Sequence, residues 1–234
     1  HNTLDFQAGA DAVCLAVCEA LADEHDVILF TISETDLESI AERFERDVSA
    51  VTVQIPPGGR RIASILSTLT PWTGPQLGFR SVILERSVRP LLDDVDLAVS
   101  TANEFALDVP SVQYVHFPQF NLDRTAVAEA GPLNRIWSRL AGPTVDRRGA
   151  DAGSSIPEST TILANSQWTA DVFDAIYDVR PTVAYPPVDP IDCDRQWRDR
   201  EPGIVAIGRI APDKRFRDAI EVVDRVRQQG YDLH

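Results

Sequence analysis

Apolar residues in this chain recur with two periods in turn, and that alternation constrains the fold more than any other feature. In "ADAVCLAVCEALADEHDVILFT" the spacing predicts a helix over residues 10 to 24, followed by an apolar strand at 27 to 31. "DLESIAERF" continues as a short helix and "VSAVTVQI" as a strand, closed by the turn residues of "PPGG". Residues 60 to 90 read as mostly helical, with a break at "TPWTGPQ". Short strands follow at "DLAVS", at "VQYVHFP" and at "TTILANS"; "QWTADVFDAIY" is a helix, and "PTVAYPP" is a strand ended by two prolines. Strands that alternate with helices pack as a parallel sheet with helices on both faces, so the fold class is α/β.

"YPPVDPIDCD" and the charged run "RQWRDREPG" interrupt this pattern. We read residues 1–187 as a first domain, 188–202 as an interdomain linker and 203–234 as the start of a second α/β domain. In that second part "GIVAIG" is expected to be a buried strand and "RIAPDKR" a loop. "FRDAIEVVDRVRQQG" is expected to be a helix with Phe216, Ile220 and Val223 on one face. The chain holds no methionine, opens on "HNTLDF" and stops at "GYDLH" as another strand begins, so both ends are expected to be cut and the second domain incomplete.

Asp and Glu number 36 against 22 basic residues, giving a formal charge of -14, and 21 of the basic residues are arginine. So strong a bias across a whole chain points to its surroundings, and we expect a high-salt cytoplasm that screens the repulsion among surface carboxylates. Stability should therefore rise from about 0.1 M to about 3 M KCl, and a fall over that range would exclude a halophilic origin. The same balance disfavours nucleic acid as a partner. Cys14, Cys18 and Cys193 form neither a disulfide framework nor, with four histidines, a zinc spacing; the pair in "CLAVC" reads as a buried helix face, and no metal site is expected. No apolar run is long enough to span a bilayer and no leader pattern is seen, so a cytoplasmic location is expected.

Several residues could carry chemistry. Gly9, in "QAGAD", is expected between a strand end and a helix start, where a bare backbone suits a bound anion; a plain turn or cap would explain it too. His116 is expected at the carboxyl end of a parallel strand, the edge where open α/β sheets bind ligands; packing between Tyr114 and Pro118 is the alternative. Asn103 and Glu104 are expected to reach the same crevice or to begin a helix, and Ser166 to cap one. Arg209, Lys214 and Arg215 crowd the loop before the last helix, where the helix dipole disfavours cations. An anion such as a diphosphate over that helix start would explain them; a solvated charge cluster is the other reading.

Taken together, "VQYVHFP", "ILANSQWTADVF", "VAYPPVD" and "GRIAPDKRFRDAI" resemble a retaining glycosyltransferase of family 4, in particular the mannosyltransferases of lipid-linked glycan assembly. The resemblance covers nearly the whole chain and implies a GT-B fold of two Rossmann-like doubly wound domains, the second incomplete here. It implies that Arg209 and Lys214 hold the diphosphate of a nucleoside diphosphate sugar, that His116 contacts the donor sugar, and that Gly9 lies in the first glycine-bearing loop. The family usually has two glycines there; Gly9 is followed by Ala10. No cofactor beyond the donor substrate is implied. The acceptor is expected to be a glycan or lipid-linked hydroxyl at the inner membrane face, with weak peripheral contact through "GPLNRIWSRLAG", whose Leu133, Ile136, Trp137 and Leu140 recur at helical spacing. A nucleotide-sugar epimerase of the same fold and a non-catalytic glycan- or nucleotide-binding module are the alternatives.

Overall fold

The computed structural model describes residues 1–73, 76–105, 107, 109–119, 156–188, 196–199, 201–208 and 214–233. The chain divides into two units, His1–Pro187 and Val188–His234.

In the first unit, β1 (Ile28–Phe30) pairs in parallel with β2 (Thr52–Gln54). A second parallel sheet runs in the order β3 (Ala98–Ser100), β4 (Ser111–Val115), β5 (Thr160–Ala164) and β6 (Thr182–Val183). The helices are α1 (Gly9–Ala22), α2 (Leu37–Arg43), α3 (Gly59–Thr73), α4 (Leu77–Val88) and α5 (Gln167–Tyr177). Parallel sheets with interspersed helices are what the two alternating periods predict, a generic Rossmann-like arrangement.

Local chemistry sets the helix boundaries. Asp36 caps α2 by accepting from the Ser39 amide at 3.3 Å, and Leu37, Ile40 and Ala41 then recur on the buried side. Ser166 caps α5 in the same way, accepting from the Thr169 amide at 3.1 Å, as its position in "ANSQW" predicts. At α1 the N-cap is Ala8, whose side chain cannot accept a bond; Asp11 reaches back instead and takes the Ala8 amide at 2.9 Å. Gly9 is thus the first helical residue, and no described strand precedes it, contrary to the expected strand-to-helix turn.

Three apolar clusters hold this unit. Cys14, Leu15 and Cys18 pack on Leu29, Ile40 and Val48, so the two cysteines do form a buried helix face. Ile32, Ala63, Leu84 and Val88 form a second cluster, and Val115, Ile162 and Phe173 a third beneath α5. β4 is buried on both faces, as a central parallel strand should be.

In the second unit α6 (Phe216–Gln228) forms where predicted, but none of its residues is buried. Residues 203–208 correct the expectation of a buried strand: they are exposed and unpaired as a strand. The cause is physical, since a strand is held by its ladder and no described strand in this unit offers one. Ile204 and Ala206 instead line an open groove with Phe216, Ala219, Ile220 and Val223, the face that helical spacing predicts. No described helix is long and apolar enough to cross a membrane.

Candidate functional site

β1 and β3 belong to two separate parallel sheets of the first unit. Ligands of open α/β sheets collect at the carboxyl ends of the strands. At this edge a histidine at the very start of the chain ties the two sheets together. The His1 backbone nitrogen donates to the Phe30 carbonyl at 3.0 Å, at the carboxyl end of β1. Its Nδ1 lies 3.1 Å from the Thr101 carbonyl and 3.0 Å from Thr101 Oγ1, immediately after β3. Its Nε2 lies 2.9 Å from Asp11 Oδ1, in the first turn of α1.

Asp11 can only accept, so Nε2 of His1 carries a proton; with the Thr101 carbonyl accepting from Nδ1 the ring is an imidazolium, the form its raised pKa favours. Burial opposes that charge more than any other single influence. Cys14 and Asp11 together outweigh it and push the pKa up to about 10. Cys14, on the same face of α1, is held well below the ordinary thiol value by a hydrogen bond from Cys18, against the cost of burial and with help from the charge on His1. Cys18 is correspondingly pushed up by its bond to Cys14 and by burial.

His116 stands one residue beyond β4 at the same edge, as predicted. Its Nε2 lies 3.3 Å from the Thr101 carbonyl, which therefore receives protons from both histidines. This fixes the tautomer, with Nε2 protonated and the Nδ1 lone pair unprotonated. Burial, then the neighbouring charge of His1, lowers the pKa of His116, so the ring is neutral at pH 7. Tyr114 meets it edge-on at 5.1 Å, which realises part of the packing alternative without removing the ring from the edge.

Asn103 and Glu104 are buried, and neither starts a helix among the described residues, so the capping and first-turn roles are corrected. Asn103 takes a left-handed backbone, φ 73°, and its Oδ1 accepts from the amides of His116 at 2.7 Å and Phe117 at 3.1 Å. It clamps the turn that carries the imidazole. Glu104 Oε1 accepts from the Gln119 amide at 2.7 Å and from the Tyr177 hydroxyl at 2.9 Å, tying the same turn to α5. Thr169 Oγ1 adds a bond to the His116 carbonyl at 3.3 Å. Outside these ties, Phe117 and Trp168 stack at 5.5 Å and form an exposed aromatic rim beside His116.

The loop from Thr3 to Ala8 closes the edge over α1. Asp5 gathers it, accepting from the Ser33 hydroxyl at 2.5 Å, from the amides of Glu34 and Thr35 at 2.8 and 3.0 Å, and from Thr35 Oγ1 at 3.0 Å. Arg80, wholly buried on α4, reaches Asp5 at 3.4 Å and the Ile32 carbonyl at 3.3 Å. An added Cβ at Gly9 would meet no protein atom within 4 Å, so that side of the helix start is open.

The predicted diphosphate cluster is only partly described. Arg209 lies outside the described residues, as do Cys193 and the whole of "GPLNRIWSRLAG". Lys214 is exposed just before α6, and its aliphatic stem lies about 3.5 Å from where a Cβ on Gly208 would stand, so the loop's two ends do meet. Arg215 takes a left-handed N-cap conformation, φ 51°, and pairs with Asp218 in the first turn of α6 through its Nε at 2.7 Å. That pairing answers one of the cations the helix start disfavours, so an anion is not needed to explain Arg215. No group of His, Cys, Asp and Glu that could hold a metal occurs among the described residues.

Sequence reasoning missed His1, Asp5 and Arg80. For His1 the signal in the sequence is a histidine leading within a few residues into "QAGAD". An arginine inside the apolar stretch "GFRSVIL" was the signal for Arg80. No family model, curated protein or solved structure matches this chain.

Proposed function

We propose that this chain is the acceptor-side domain, with the opening of the donor-side domain, of a retaining GT-B glycosyltransferase of family 4. It would move a hexose from a nucleoside diphosphate sugar to a lipid-linked hydroxyl at the cytoplasmic face of a membrane. The glycosidic bond to the diphosphate breaks, a bond to the acceptor oxygen forms on the same face of the sugar, and the acceptor's proton passes to the departing phosphate oxygen. The observation that most supports this is His116. A neutral imidazole with a fixed tautomer, its turn held by the His116 and Phe117 amides donating to Asn103, offers an acceptor lone pair to a sugar hydroxyl at the carboxyl edge of a parallel sheet. The exposed Phe117 and Trp168 rings beside it suit the apolar face of a pyranose. Arg209 and Lys214 are assigned to the diphosphate on the sequence resemblance, in place of a metal.

The test uses the full-length protein. His116→Ala should lower hexose transfer at least about tenfold with little change in unfolding temperature, because Asn103 bonds the backbone of the turn rather than the ring. Lys214→Ala should cost a similar factor, about the worth of one charge-assisted hydrogen bond. Because the pKa of His116 is lowered, its neutral form should persist below about pH 6.5, and transfer should decline only on further acidification. Full transfer by both variants would end this assignment.

A further inference from the structure

Arg80 carries more donors than its surroundings use. Its side chain is wholly buried, and Nη1 alone carries its hydrogen bonds, to Thr3 Oγ1 at 3.3 Å, Asp5 Oδ2 at 3.4 Å and the Ile32 carbonyl at 3.3 Å. Nε and Nη2 meet no partner. These two nitrogens form the side-on pair of the guanidinium fork, whose parallel N–H groups match two oxygens of one oxyanion. Buried donors without partners are rare and costly in native proteins, and an ion held there is one of the few things that explains them. Asp5 does not answer that side. Its Oδ1 is taken up by Ser33, Glu34 and Thr35, and only Oδ2 turns to the guanidinium, at Nη1.

The start of α4 lies beside the same group. Arg80 is the fourth residue of the helix, and helical side chains lean toward the N-terminus, which carries the guanidinium back toward the first turn. One short segment touches both: Asn2 Nδ2 reaches the Leu77 carbonyl at 3.5 Å, and Thr3, the next residue, meets Arg80 Nη1. The helix start has no side-chain cap, and no acidic residue stands in its first turn. The amides of Leu77 and Gly78 have no acceptor within the helix, and the helix dipole adds its positive end to the charge of the arginine. Leu77 is exposed and Gly78 half-buried, so the helix start meets solvent where the guanidinium does not.

We propose that the Nε and Nη2 face of Arg80 and the amides that open α4 form a binding site for a phosphate group. The arginine pair would use both oxygens of a carboxylate, whereas phosphate brings a third oxygen for the helix start. Phe6, half-buried and with its ring centre 5.7 Å from the guanidinium carbon, covers one face of Arg80, so the phosphate enters from the helix start. The site belongs to the first unit, is separate from the Arg209 and Lys214 cluster, and does not rest on the transferase reading.

The test titrates the isotope-labelled chain with inorganic phosphate at fixed ionic strength and follows the nuclear magnetic resonance signals of Arg80 Nε–H and the Leu77 and Gly78 amides. All three should shift together and saturate, and acetate should bind at least about tenfold more weakly. Arg80→Lys keeps the charge but loses the fork, and should weaken phosphate binding at least about tenfold. Should that variant fail to fold, Asp5→Ala with Arg80→Met removes the fork without stranding a charge, and its Leu77 and Gly78 amides should not respond. Saturation of the two amides with Arg80 Nε–H unmoved would overturn the proposal, as would undiminished affinity in either variant, acetate binding as tight as that of phosphate, or no saturable shift at all. Glycerol phosphate and vesicles of phosphatidic acid then separate the sources. A response to the first assigns the site to a soluble phosphoester, and a response to the vesicles alone assigns it to a lipid headgroup.

Discussion

Asp5→Ala is expected to destabilise the first unit by about 3–5 kcal/mol, the usual effect of removing one partner from a buried ion pair. The size follows from what is left behind. The Arg80 side chain has no exposed surface, and its Nε and Nη2 find no hydrogen-bond partner, so Asp5 is the countercharge that makes its burial tolerable. Burial pulls the guanidinium below its ordinary pKa and Asp5 opposes that, yet arginine stays charged, so loss of the carboxylate strands a cation. The same substitution frees Ser33, Glu34 and Thr35, and with them the loop beside α1. A double change to Asp5→Ala with Arg80→Met should recover much of the loss, since an apolar side chain of similar length removes the stranded charge. Burial acts to raise the Asp5 pKa, but the Ser33, Thr35 and Glu34 donors hold it below the ordinary carboxylate value. Its stabilisation is therefore complete above about pH 4 and is lost as pH falls through that lower value, so acid unfolding of the parent should steepen there and that of the double variant should not. Chemical denaturation of the three proteins measures all of this. Equal stability of parent and Asp5→Ala would show that the pair carries no net weight.

What could be read from sequence divides along a physical line. Helix and strand positions followed from periodicity because each element buries one face or stripe locally: "CLAVC" against Leu29 and Ile40, and "QWTADVF" under its Ser166 cap. His116 could be placed at a strand's carboxyl end because strand and proline together fix that end. Its clamp could not be foreseen. Asn103 and Glu104 lie twelve or more residues from the groups they bind, and only the pairing of β3 with β4 brings them together. The "GIVAIG" stretch shows the opposite failure, since composition favours a strand there while a strand also requires a neighbour. The helix dipole makes the cations before the last helix look unexplained, yet Asp218, three residues on from Arg215, answers Arg215 within the helix itself. The bonds that His1 makes are legible in no local pattern, because its partners Asp11, Thr101 and Phe30 come from three separate parts of the fold.

The charge on His1 carries the other large expectation. Asp11→Asn keeps the shape of the side chain and its reach to the Ala8 amide but removes the carboxylate facing His1 Nε2. Stability at pH 6 should fall by about 3–5 kcal/mol, because a buried imidazolium loses its countercharge or must give up its proton. The pH dependence gives the sign. His1 has a folded-state pKa pushed up to about 10 from an ordinary 6.5, so its contribution is fully present below about pH 6.5 and is lost as pH rises through 10. The gap between parent and variant should therefore be widest at and below pH 6.5 and should close steadily toward pH 10. Two groups compete for the role of countercharge, since Cys14 also raises the His1 pKa and is itself held low. Cys14→Ser separates them: if the carboxylate dominates, the serine variant keeps most of the slope that Asp11→Asn loses. Geometry favours the carboxylate, because it meets Nε2 at 2.9 Å while anchoring the start of α1, so one side chain fixes both the ring and the helix that carries it. A parent and Asp11→Asn variant whose stabilities run parallel from pH 6 to pH 10 would show that Asp11 does not hold the charge.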